Sequence, residues 1–303
     1  MKLLFSTQSY GYLKKAVLAT GNFENGEVEV TYFPDGERYQ RLLTEVDGKQ
    51  VILIGGTISD SDTLELYDLA YTLVSQGALS LLLIIPYFGY ATMERAVKPR
   101  EIVTAKTRAY LLSSIPNTSM GNRVLLLDLH TEGLPYYFEG KIKPIHLYAK
   151  TLIIEACYEL AGKDFVLAAT DAGRAKWVES LANDMGVNGA FVFKRRISGE
   201  QTEITSINAD VKGKYVIIYD DMIRTGGSLI NAAKSYRDFG AKQIAVVTTH
   251  GLFVGNGLEK IQNSGLFTCV VSTDSHPNVL TIKNDFLKVK SIAGLLATEI
   301  GKH

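Results

Sequence analysis

The sequence predicts an α/β protein of two domains with mostly parallel sheets, related by internal duplication. Short apolar runs, typical of buried parallel strands, alternate with helical stretches along the chain. The segment VILIGGTISDSDTLELYDLAYTLVSQGALSLLLIIPYFG (51–89) also parallels YVIIYDDMIRTGGSLINAAKSYRDFGAKQIAVVTTHGLF (215–253), with Gly56-Thr57 opposite Asp220-Asp221. Such self-similarity favours a repeated unit. The alternative is that any two βαβ units look alike.

Each element follows from a local pattern. Short runs rich in β-branched and other apolar residues, bounded by polar residues or glycine, are predicted as strands. They are residues 51–54, 81–85, 124–127, 166–169, 190–193, 215–219, 244–248 and 268–272. An amphipathic helix is predicted over residues 229–239, which ends at Gly240, and the tail over 287–300 is also amphipathic.

The domain boundary is predicted near Pro144, which interrupts the pattern at residues 143–148. No Ser/Gly-rich linker marks this place. The first domain is therefore predicted at residues 1–145 and the second at 146–281. Residues 282–303 are predicted to pack back on the first domain.

The composition excludes several classes of partner. The 303 residues include 32 Lys plus Arg and 32 Asp plus Glu, so no net charge favours nucleic acid or a membrane surface. Cys157 and Cys269 stand in apolar contexts, which suits a reduced compartment better than a disulfide framework. No apolar run approaches the length of a signal or a membrane span. We expect a cytoplasmic protein with no nucleic-acid or membrane partner.

The stretch KYVIIYDDMIRTGGSL (214–229) carries the most specific chemistry. Two carboxylates, Asp220 and Asp221, follow the predicted strand, and a turn then leads into a helix. The turn contains Thr225, Gly226, Gly227 and Ser228. Glycines let backbone amides converge on a phosphate at a helix N-terminus, and paired carboxylates accept hydrogen bonds from vicinal hydroxyls, directly or through a divalent cation. A pentose 5-phosphate meets both demands, whereas the alternative is an ordinary βα turn with a capping aspartate.

Two further segments are candidates for nucleotide contacts. The turn FPDGER places Phe33, Asp35 and Glu37 around a glycine, although such a turn is most often only a polar hairpin. Residues 91–106 gather cations between a strand end and a helix, where a polyphosphate could be met. A solvated hairpin would have the same composition.

Polar residues at three other strand ends suggest phosphoryl chemistry. His130 and Asp171 follow separate strands, and ligands of open α/β sheets lie beyond the carboxyl ends of the strands. They could share a divalent cation, but a single His is more often structural. Lys194 and Arg196 follow the predicted strand 190–193 and could neutralise charge on phosphoryl oxygens. The alternative is a solvated basic turn.

Together these motifs resemble the ribose-phosphate diphosphokinase (phosphoribosyl-diphosphate, or PRPP, synthetase) family. They are Phe-x-Asp-Gly-Glu, Pro-Tyr-Phe-Gly-Tyr-Ala, Lys-Pro-Arg-Glu-x-x-Thr-Ala-Lys, Asp-Leu-His, Asp-x-Gly, Lys-Arg-Arg and Asp-Asp-Met-Ile-x-Thr-Gly-Gly, in one order across nearly the whole chain. The resemblance implies two phosphoribosyltransferase-like (Rossmann-like) domains. It also implies transfer of the β,γ-diphosphoryl group of ATP to the anomeric hydroxyl of ribose 5-phosphate, with Mg²⁺, giving PRPP and AMP.

The resemblance assigns roles by position. It implies nucleotide binding by Phe33, Asp35, Glu37, Glu94, Arg95 and His130, with residues around Arg95 forming a flag-like hairpin. It implies catalysis by Lys194, Arg196 and His130, and attendance on Mg²⁺ by His130 and Asp171. It implies ribose 5-phosphate binding by Asp220, Asp221, Thr225, Gly226, Gly227 and Ser228. The family implies a homo-oligomer built from dimers, up to a hexamer, with the Phe33 turn acting in a neighbouring subunit.

Three positions depart from the common family pattern. The flag reads Ala-Thr-Met-Glu-Arg at residues 91–95, not Ala-Arg-Gln-Asp-Arg, and is closer to the plant-like class, so we expect broader nucleotide use and weak ADP inhibition. Arg174 replaces a second glycine, and Arg224 takes an often acidic place.

The alternative function is a catalytically silent relative that regulates a true synthetase. A phosphoribosyltransferase acting on a base is disfavoured by the doubled domain.

Overall fold

The computed structural model describes the backbone of residues 1–198 and 201–303, and the side chains of these residues except 193–207. The chain divides into two compact units: unit 1 is Met1–Tyr148 with Ala293–His303, and unit 2 is Ala149–Ile292. The sequence placed the divisions at 145 and 281 instead. The division after 281 comes too early because residues 287–290 pair with the sheet of unit 2.

The chain alternates strands and helices throughout. The strands are β1 (Lys2–Ser6), β2 (Phe23–Asn25), β3 (Val28–Tyr32), β4 (Arg38–Leu42), β5 (Gln50–Ile54), β6 (Ser80–Ile85), β7 (Asn122–Leu127), β8 (Lys143–Leu147), β9 (Val166–Ala169), β10 (Asn188–Ala190), β11 (Val192–Ser198), β12 (Gln201–Ile207), β13 (Tyr215–Ile223), β14 (Gln243–Gly251), β15 (Val270–Thr273) and β16 (Leu287–Lys290). The α-helices are α1 (Gly11–Leu18), α2 (Asp60–Ser75), α3 (Thr104–Ser113), α4 (Lys150–Ala161), α5 (Ala175–Met185), α6 (Gly227–Asp238), α7 (Gly257–Asn263) and α8 (Ala293–Gly301).

Each unit is built on a six-stranded sheet whose neighbouring strands are all parallel. The order is β2-β1-β5-β6-β7-β8 in unit 1 and β10-β9-β13-β14-β15-β16 in unit 2. Each unit also has an antiparallel pair, β3–β4 and β11–β12 respectively. The prediction of an α/β protein with two mostly parallel sheets is confirmed.

A hydrogen bond between two glycines recurs in both units, and it aligns the repeat more closely than the sequence does. The amide of Gly48 donates to the carbonyl of Gly77 at 3.0 Å, and the amide of Gly213 donates to that of Gly240 at 2.8 Å. In both units, a glycine-lysine pair directly precedes the strand, which is β5 in unit 1 and β13 in unit 2. Counting from these pairs, residues 55–56 stand opposite residues 220–221. The sequence alignment, which put residues 56–57 there, is one residue out of register.

Several predicted elements differ at their ends. The predicted strand 215–219 extends as β13 to Ile223, because β14 continues beside it to Gly251. The predicted strand 190–193 is two strands, β10 and β11, so Lys194 and Arg196 lie within β11 and not in a loop after a strand. Pro144 lies inside β8, the edge strand of its sheet, where a missing amide is tolerated.

Each unit has its own hydrophobic core. The first core lies between the sheet and the helices of unit 1 and includes Phe5, Leu53 and Leu66, all fully buried. The second includes Ile218, Ala232 and Tyr236, also fully buried. Helix α8 packs against α1 in unit 1, and the Lys2 Nζ donates to the carbonyl of Ile300 at 2.9 Å. No helix in the described part of the chain is both long and apolar enough to cross a membrane.

Candidate sugar-phosphate and nucleotide sites

Asp220 and Asp221 lie within β13, not after it, near the carboxyl edge of the sheet of unit 2. Asp220 pairs in register with Thr248 of β14. Alternation along the strand turns neighbouring side chains to opposite faces, and accordingly Asp221 is 3% exposed whereas Asp220 is half-buried. The two carboxylates are therefore held by a sheet and not by a loop.

The carboxylate of Asp220 accepts two hydrogen bonds. The hydroxyl of Thr170 donates to Asp220 Oδ2 at 3.2 Å, and the amide of Asp221 donates to Asp220 Oδ1 at 3.1 Å. Burial raises the pKa of Asp220 well above its usual range, and the neighbouring charge of Asp221 adds to that rise. An added cation or hydroxyl donors from a ligand would stabilise the ionised pair.

Arg174 forms an ion pair with Asp221. The guanidinium lies 2.6 Å from Asp221 Oδ2, and the two side chains are 18% and 4% exposed. A cation this close offsets part of the desolvation of the carboxylate. The sequence singled out Arg174 as a departure from the family pattern, but nothing in the sequence pointed to Asp221 as its partner.

The loop between β13 and α6 is held by close backbone packing. Gly226 has a left-handed φ of 78°, and a Cβ there would lie 2.6 Å from a side-chain carbon of Ile261 on α7. A Cβ on Gly257 would lie 2.6 Å from the carbonyl oxygen of Arg224. The loop therefore needs glycine at position 226 for its own backbone, and it needs glycine at position 257 of α7 for close packing.

The N-terminus of α6 is a candidate anion site. Its N-cap makes no side-chain hydrogen bond, and its first turn has no acidic residue. A Cβ on Gly227 would meet nothing within 4 Å, and Thr225 and Ser228 are exposed. Because the first amides of a helix lack intrahelical partners and carry the positive end of the dipole, this loop can bind a phosphate.

Asp171 lies three residues before Arg174, in the turn that leads into α5. Its Oδ1 accepts a hydrogen bond from the amide of Gly173 at 2.8 Å, and its side chain is half-buried. Trp177 on α5 stacks on Tyr219 of β13, with ring centroids 4.6 Å apart. The stack ties the start of α5 to the strand that carries the carboxylate pair.

In unit 1, His130 follows β7 at the corresponding edge of the first sheet. Leu129, just before it, donates its amide to His146 Nε2 at 3.0 Å. Burial lowers the pKa of His146 to about 4, so its imidazole is the neutral acceptor that this bond requires. The half-buried His130 thus stands on a segment fixed by a second histidine.

The turn between β3 and β4 exposes Phe33, Asp35 and Glu37. The amide of Phe33 donates to the carbonyl of Glu37 at 2.8 Å, and the amide of Glu37 donates to Asp35 Oδ1 at 3.0 Å. Phe33 also packs edge-on against Tyr39, with centroids 6.2 Å apart. An aromatic face and two carboxylates are therefore presented to solvent on one ordered turn.

Residues 86–103, all of which the structure describes, form turns and bends and not the expected hairpin. Left-handed φ angles at Tyr90 and Arg100 break the extended backbone. Glu94 is half-buried and lies 3.5 Å from the guanidinium of Arg95, which is 78% exposed. Glu101 accepts hydrogen bonds from two amides of this segment, at 2.6 and 3.0 Å.

The structure therefore brings together one part of the predicted site, the carboxylate pair and the glycine loop, with Asp171 in the adjoining turn. The side chains of Lys194 and Arg196 lie outside the described residues. Among the described side chains, no group of three or more His, Cys, Asp or Glu could hold a metal ion by itself. Sequence reasoning missed Thr170, for which its place directly after a strand was the available signal.

Comparison with known proteins gives consistent matches along the chain. Residues 2–115 match the family profile described as the N-terminal domain of ribose phosphate pyrophosphokinase, and residues 168–302 match the phosphoribosyl synthetase-associated domain. A ribose-phosphate pyrophosphokinase of Fusobacterium nucleatum subsp. nucleatum is 31% identical, over 99% of this chain and 94% of that protein. One from Prochlorococcus marinus subsp. pastoris is 32% identical, over 98% and 89%. The crystal structure of phosphoribosylpyrophosphate synthetase from Mycobacterium smegmatis matches with a TM-score of 0.86 and 26% identity, over 99% and 98% of the two chains.

Proposed function

We propose, because the chain belongs to the ribose-phosphate pyrophosphokinase family, that it makes PRPP and AMP from ATP and ribose 5-phosphate. The anomeric hydroxyl would attack the β-phosphorus of ATP, and AMP would leave with the electron pair of the broken bond. The proton of the hydroxyl is lost to solvent or to a nearby base. The observation that carries the proposal is the open N-terminus of α6 beside a carboxylate pair, in a unit of the matching fold.

The residues of unit 2 would bind the sugar phosphate in two parts. Thr225, Ser228 and the amides around Gly227 would hold the 5-phosphate at the positive end of α6. Asp220 and Asp221 would accept hydrogen bonds from the ribose hydroxyls. Because diphosphoryl transfer depends mainly on alignment and on charge neutralisation, holding the sugar by both ends supplies much of the catalysis.

The nucleotide roles rest on the family motifs and on exposure. Phe33 and the two carboxylates of its turn would bind the base, with Glu94 and Arg95 as further contacts. His130 would meet the triphosphate. Lys194 and Arg196 would neutralise charge on the transferred group. The altered flag leads us to propose broader nucleotide use, in the manner of the plant-like class. We also propose a homo-oligomer, since the Phe33 turn would act in a neighbouring subunit.

Mg²⁺ fits this arrangement as a partner of the substrate phosphates. This ion usually takes only one or two protein carboxylates and completes its shell with phosphates and water, so a protein cage of three ligands is not required. Asp171 and His130 would contact the ion directly or through its water shell. The bound ion would neutralise charge on the triphosphate. The raised pKa of Asp220 also fits a carboxylate pair that needs a cation or hydroxyl donors to stay ionised.

The test is mass-spectrometric detection of AMP and PRPP after mixing the protein with ATP, ribose 5-phosphate and Mg²⁺, with GTP, CTP and UTP in parallel. Equal amounts of PRPP and AMP are expected. Lys194→Ala should lower turnover by orders of magnitude while leaving the affinity for ribose 5-phosphate nearly unchanged. Binding of both substrates without any product would contradict the activity and favour the regulatory relative instead.

A further inference from the structure

We propose that Glu65, together with Gln8, positions the nucleotide-binding turn between β3 and β4. This inference rests on the proposed function, which assigns the turn to the nucleotide. Glu65 lies on α2 and is 4% exposed, yet none of the chemistry above uses it. A buried carboxylate is costly unless it is paired, so its contacts are informative.

Glu65 and Gln8 hold both ends of the turn. Tyr32 and Arg38 are the last residue of β3 and the first of β4, and they form the cross-strand pair nearest the turn. The hydroxyl of Tyr32 donates to Gln8 Oε1 at 3.3 Å, and Arg38 Nη1 lies 3.5 Å from Glu65 Oε2.

The two holding residues are themselves joined. The amide of Gln8 donates to Glu65 Oε1 at 3.0 Å. The turn is therefore tied at its start and at its end to one connected pair in the body of unit 1. Because Arg38 directly follows Glu37, a shift of the backbone at Arg38 would also move the Glu37 carboxylate, which is proposed to bind the base.

Apolar packing alone does not hold this end of the hairpin. Val28 and Leu42, at the far end of the hairpin, pack against the core of unit 1. Further along, a cavity of about 240 Å³ lies beside β3, with Val30, Gln8, Lys14 and Glu65 among its lining residues. The turn end consequently depends on the polar contacts for its position, and losing them should let it move.

The same hairpin contains a matched control. Arg41 and Glu29 form another cross-strand ion pair, with 2.9 Å between the charged atoms and with 60% and 39% of the side chains exposed. Both partners belong to the hairpin, so this pair does not tie it to the rest of the unit. Arg41→Gln removes the same charge as Arg38→Gln without touching Gln8 or Glu65.

Steady-state kinetics with both substrates tests the inference. Glu65→Gln and Arg38→Gln should raise the KM for ATP about tenfold or more, the size expected for one charge-assisted contact, with the KM for ribose 5-phosphate unchanged. Arg38→Lys should recover part of this loss, and Arg41→Gln should match the wild type. Tyr32→Phe, which removes one exposed hydroxyl and does not threaten folding, should give a smaller rise in the KM for ATP.

Hydrogen exchange of the peptide spanning residues 28–42 supplies a readout that needs no activity. Amides of the turn should exchange faster in Glu65→Gln and Tyr32→Phe than in Arg41→Gln. Equal exchange and equal KM for ATP in Tyr32→Phe and Arg41→Gln would overturn the positioning role, even if Glu65→Gln did not fold. A wild-type protein that makes no PRPP would overturn the proposed function instead. Faster exchange of the turn in Glu65→Gln and Tyr32→Phe would still support the positioning of the turn by Glu65 and Gln8.

Discussion

Units 1 and 2 repeat one strand order but differ at the positions where a ligand would bind. Gly55 and Gly56 in unit 1 correspond to Asp220 and Asp221 in unit 2. A Cβ on Gly55 would lie 2.5 Å from Leu66, and one on Gly56 would lie 2.6 Å from the Tyr10 ring, so unit 1 has no room for carboxylates there. The shared fold supplies the edge of the sheet, and a few side chains decide what that edge binds.

Helices α2 and α6, which follow these positions in units 1 and 2, also differ at their N-termini. Helix α2 is capped by Ser59, which accepts from the amide of Asp62, and its first turn carries Asp60 and Asp62. Those carboxylates satisfy the helix dipole and exclude an added anion. Helix α6 has neither feature. Unit 1 therefore carries its own acids at this helix N-terminus, whereas unit 2 has no acid at the equivalent place.

A repeated motif shows that residue identity alone does not define a site. Asp128 and Asp274 donate equivalent amide hydrogen bonds, both of 2.9 Å, to the neighbouring strand, and each is followed two residues later by a histidine. His276 is 9% exposed and accepts from the amide of Asn278 at 3.2 Å, as the N-cap of the 3-10 helix Pro277–Thr281. His130 is less buried and is not a cap, because the next 3-10 helix, Leu134–Tyr137, has Gly133 as its N-cap. Of these two histidines, His130 is therefore the ligand candidate.

The largest effect is expected from removing the carboxylate pair that distinguishes unit 2. Asp220→Asn with Asp221→Asn should weaken ribose 5-phosphate binding roughly 100-fold or more, because each charge-assisted hydrogen bond contributes about 1.5–3 kcal/mol. Titration calorimetry measures the affinity. Asp62→Asn, in unit 1, is the control and should leave it unchanged. Unchanged affinity in the double variant would refute the role of the pair.

Neighbouring glycines of the α6 loop should respond in opposite ways. Gly227→Ala adds a methyl group in open space, so folding should be normal while ribose 5-phosphate affinity falls about tenfold or more, through contact with the phosphate. Gly226→Ala must adopt a left-handed φ and meet Ile261, so it should lower the free energy of unfolding by about 1–3 kcal/mol. Urea unfolding and calorimetry on both variants separate the effects. Full affinity in a folded Gly227→Ala protein would place the phosphate elsewhere.

Grafting an acid into unit 1 tests whether packing forbids a second site. Gly55→Asp should lower the free energy of unfolding by about 1–3 kcal/mol, because its Cβ would overlap Leu66 and Thr7. It should add no second binding site for ribose 5-phosphate. Gly11→Ala, where a Cβ meets nothing within 4 Å, is the control and should not destabilise the protein. A stable Gly55→Asp protein would show that packing does not exclude the acid.

A pH-dependent effect, small near neutral pH, is expected from His146, which has no histidine counterpart in unit 2. Its folded pKa is about 4, below the value of 6.5 for an unperturbed histidine. As pH falls from 6.5 towards 4, the unfolded chain takes up a proton that the folded chain does not, so stability should fall. His146→Gln keeps an acceptor but does not titrate, and should flatten this part of the profile. Urea midpoints at several pH values measure it, and identical profiles would contradict the shift.

The fold and the core of the proposed sugar-phosphate site could be predicted from the sequence because both depend on local patterns. Apolar runs bounded by polar residues marked most central strands, and Asp-Asp followed by Thr-Gly-Gly-Ser marked a strand, loop and helix N-terminus within one short segment. Strands β3 and β4 were missed because their polar, half-exposed residues lack an apolar run. The hairpin expected at the flag was wrong, since left-handed Tyr90 and Arg100 depend on surroundings that the sequence does not display.

The sequence by itself determined the α/β class, the duplication and the glycine-rich loop between β13 and α6. Strand and helix periods and the conformational freedom of glycine act within a few residues. Only the tertiary structure decided the register of the repeat, the ion pair of Arg174 with Asp221, and the contact of Glu65 with Arg38. Each of these joins residues far apart in the chain. Their meeting depends on strand pairing and helix packing, which local patterns favour but do not specify.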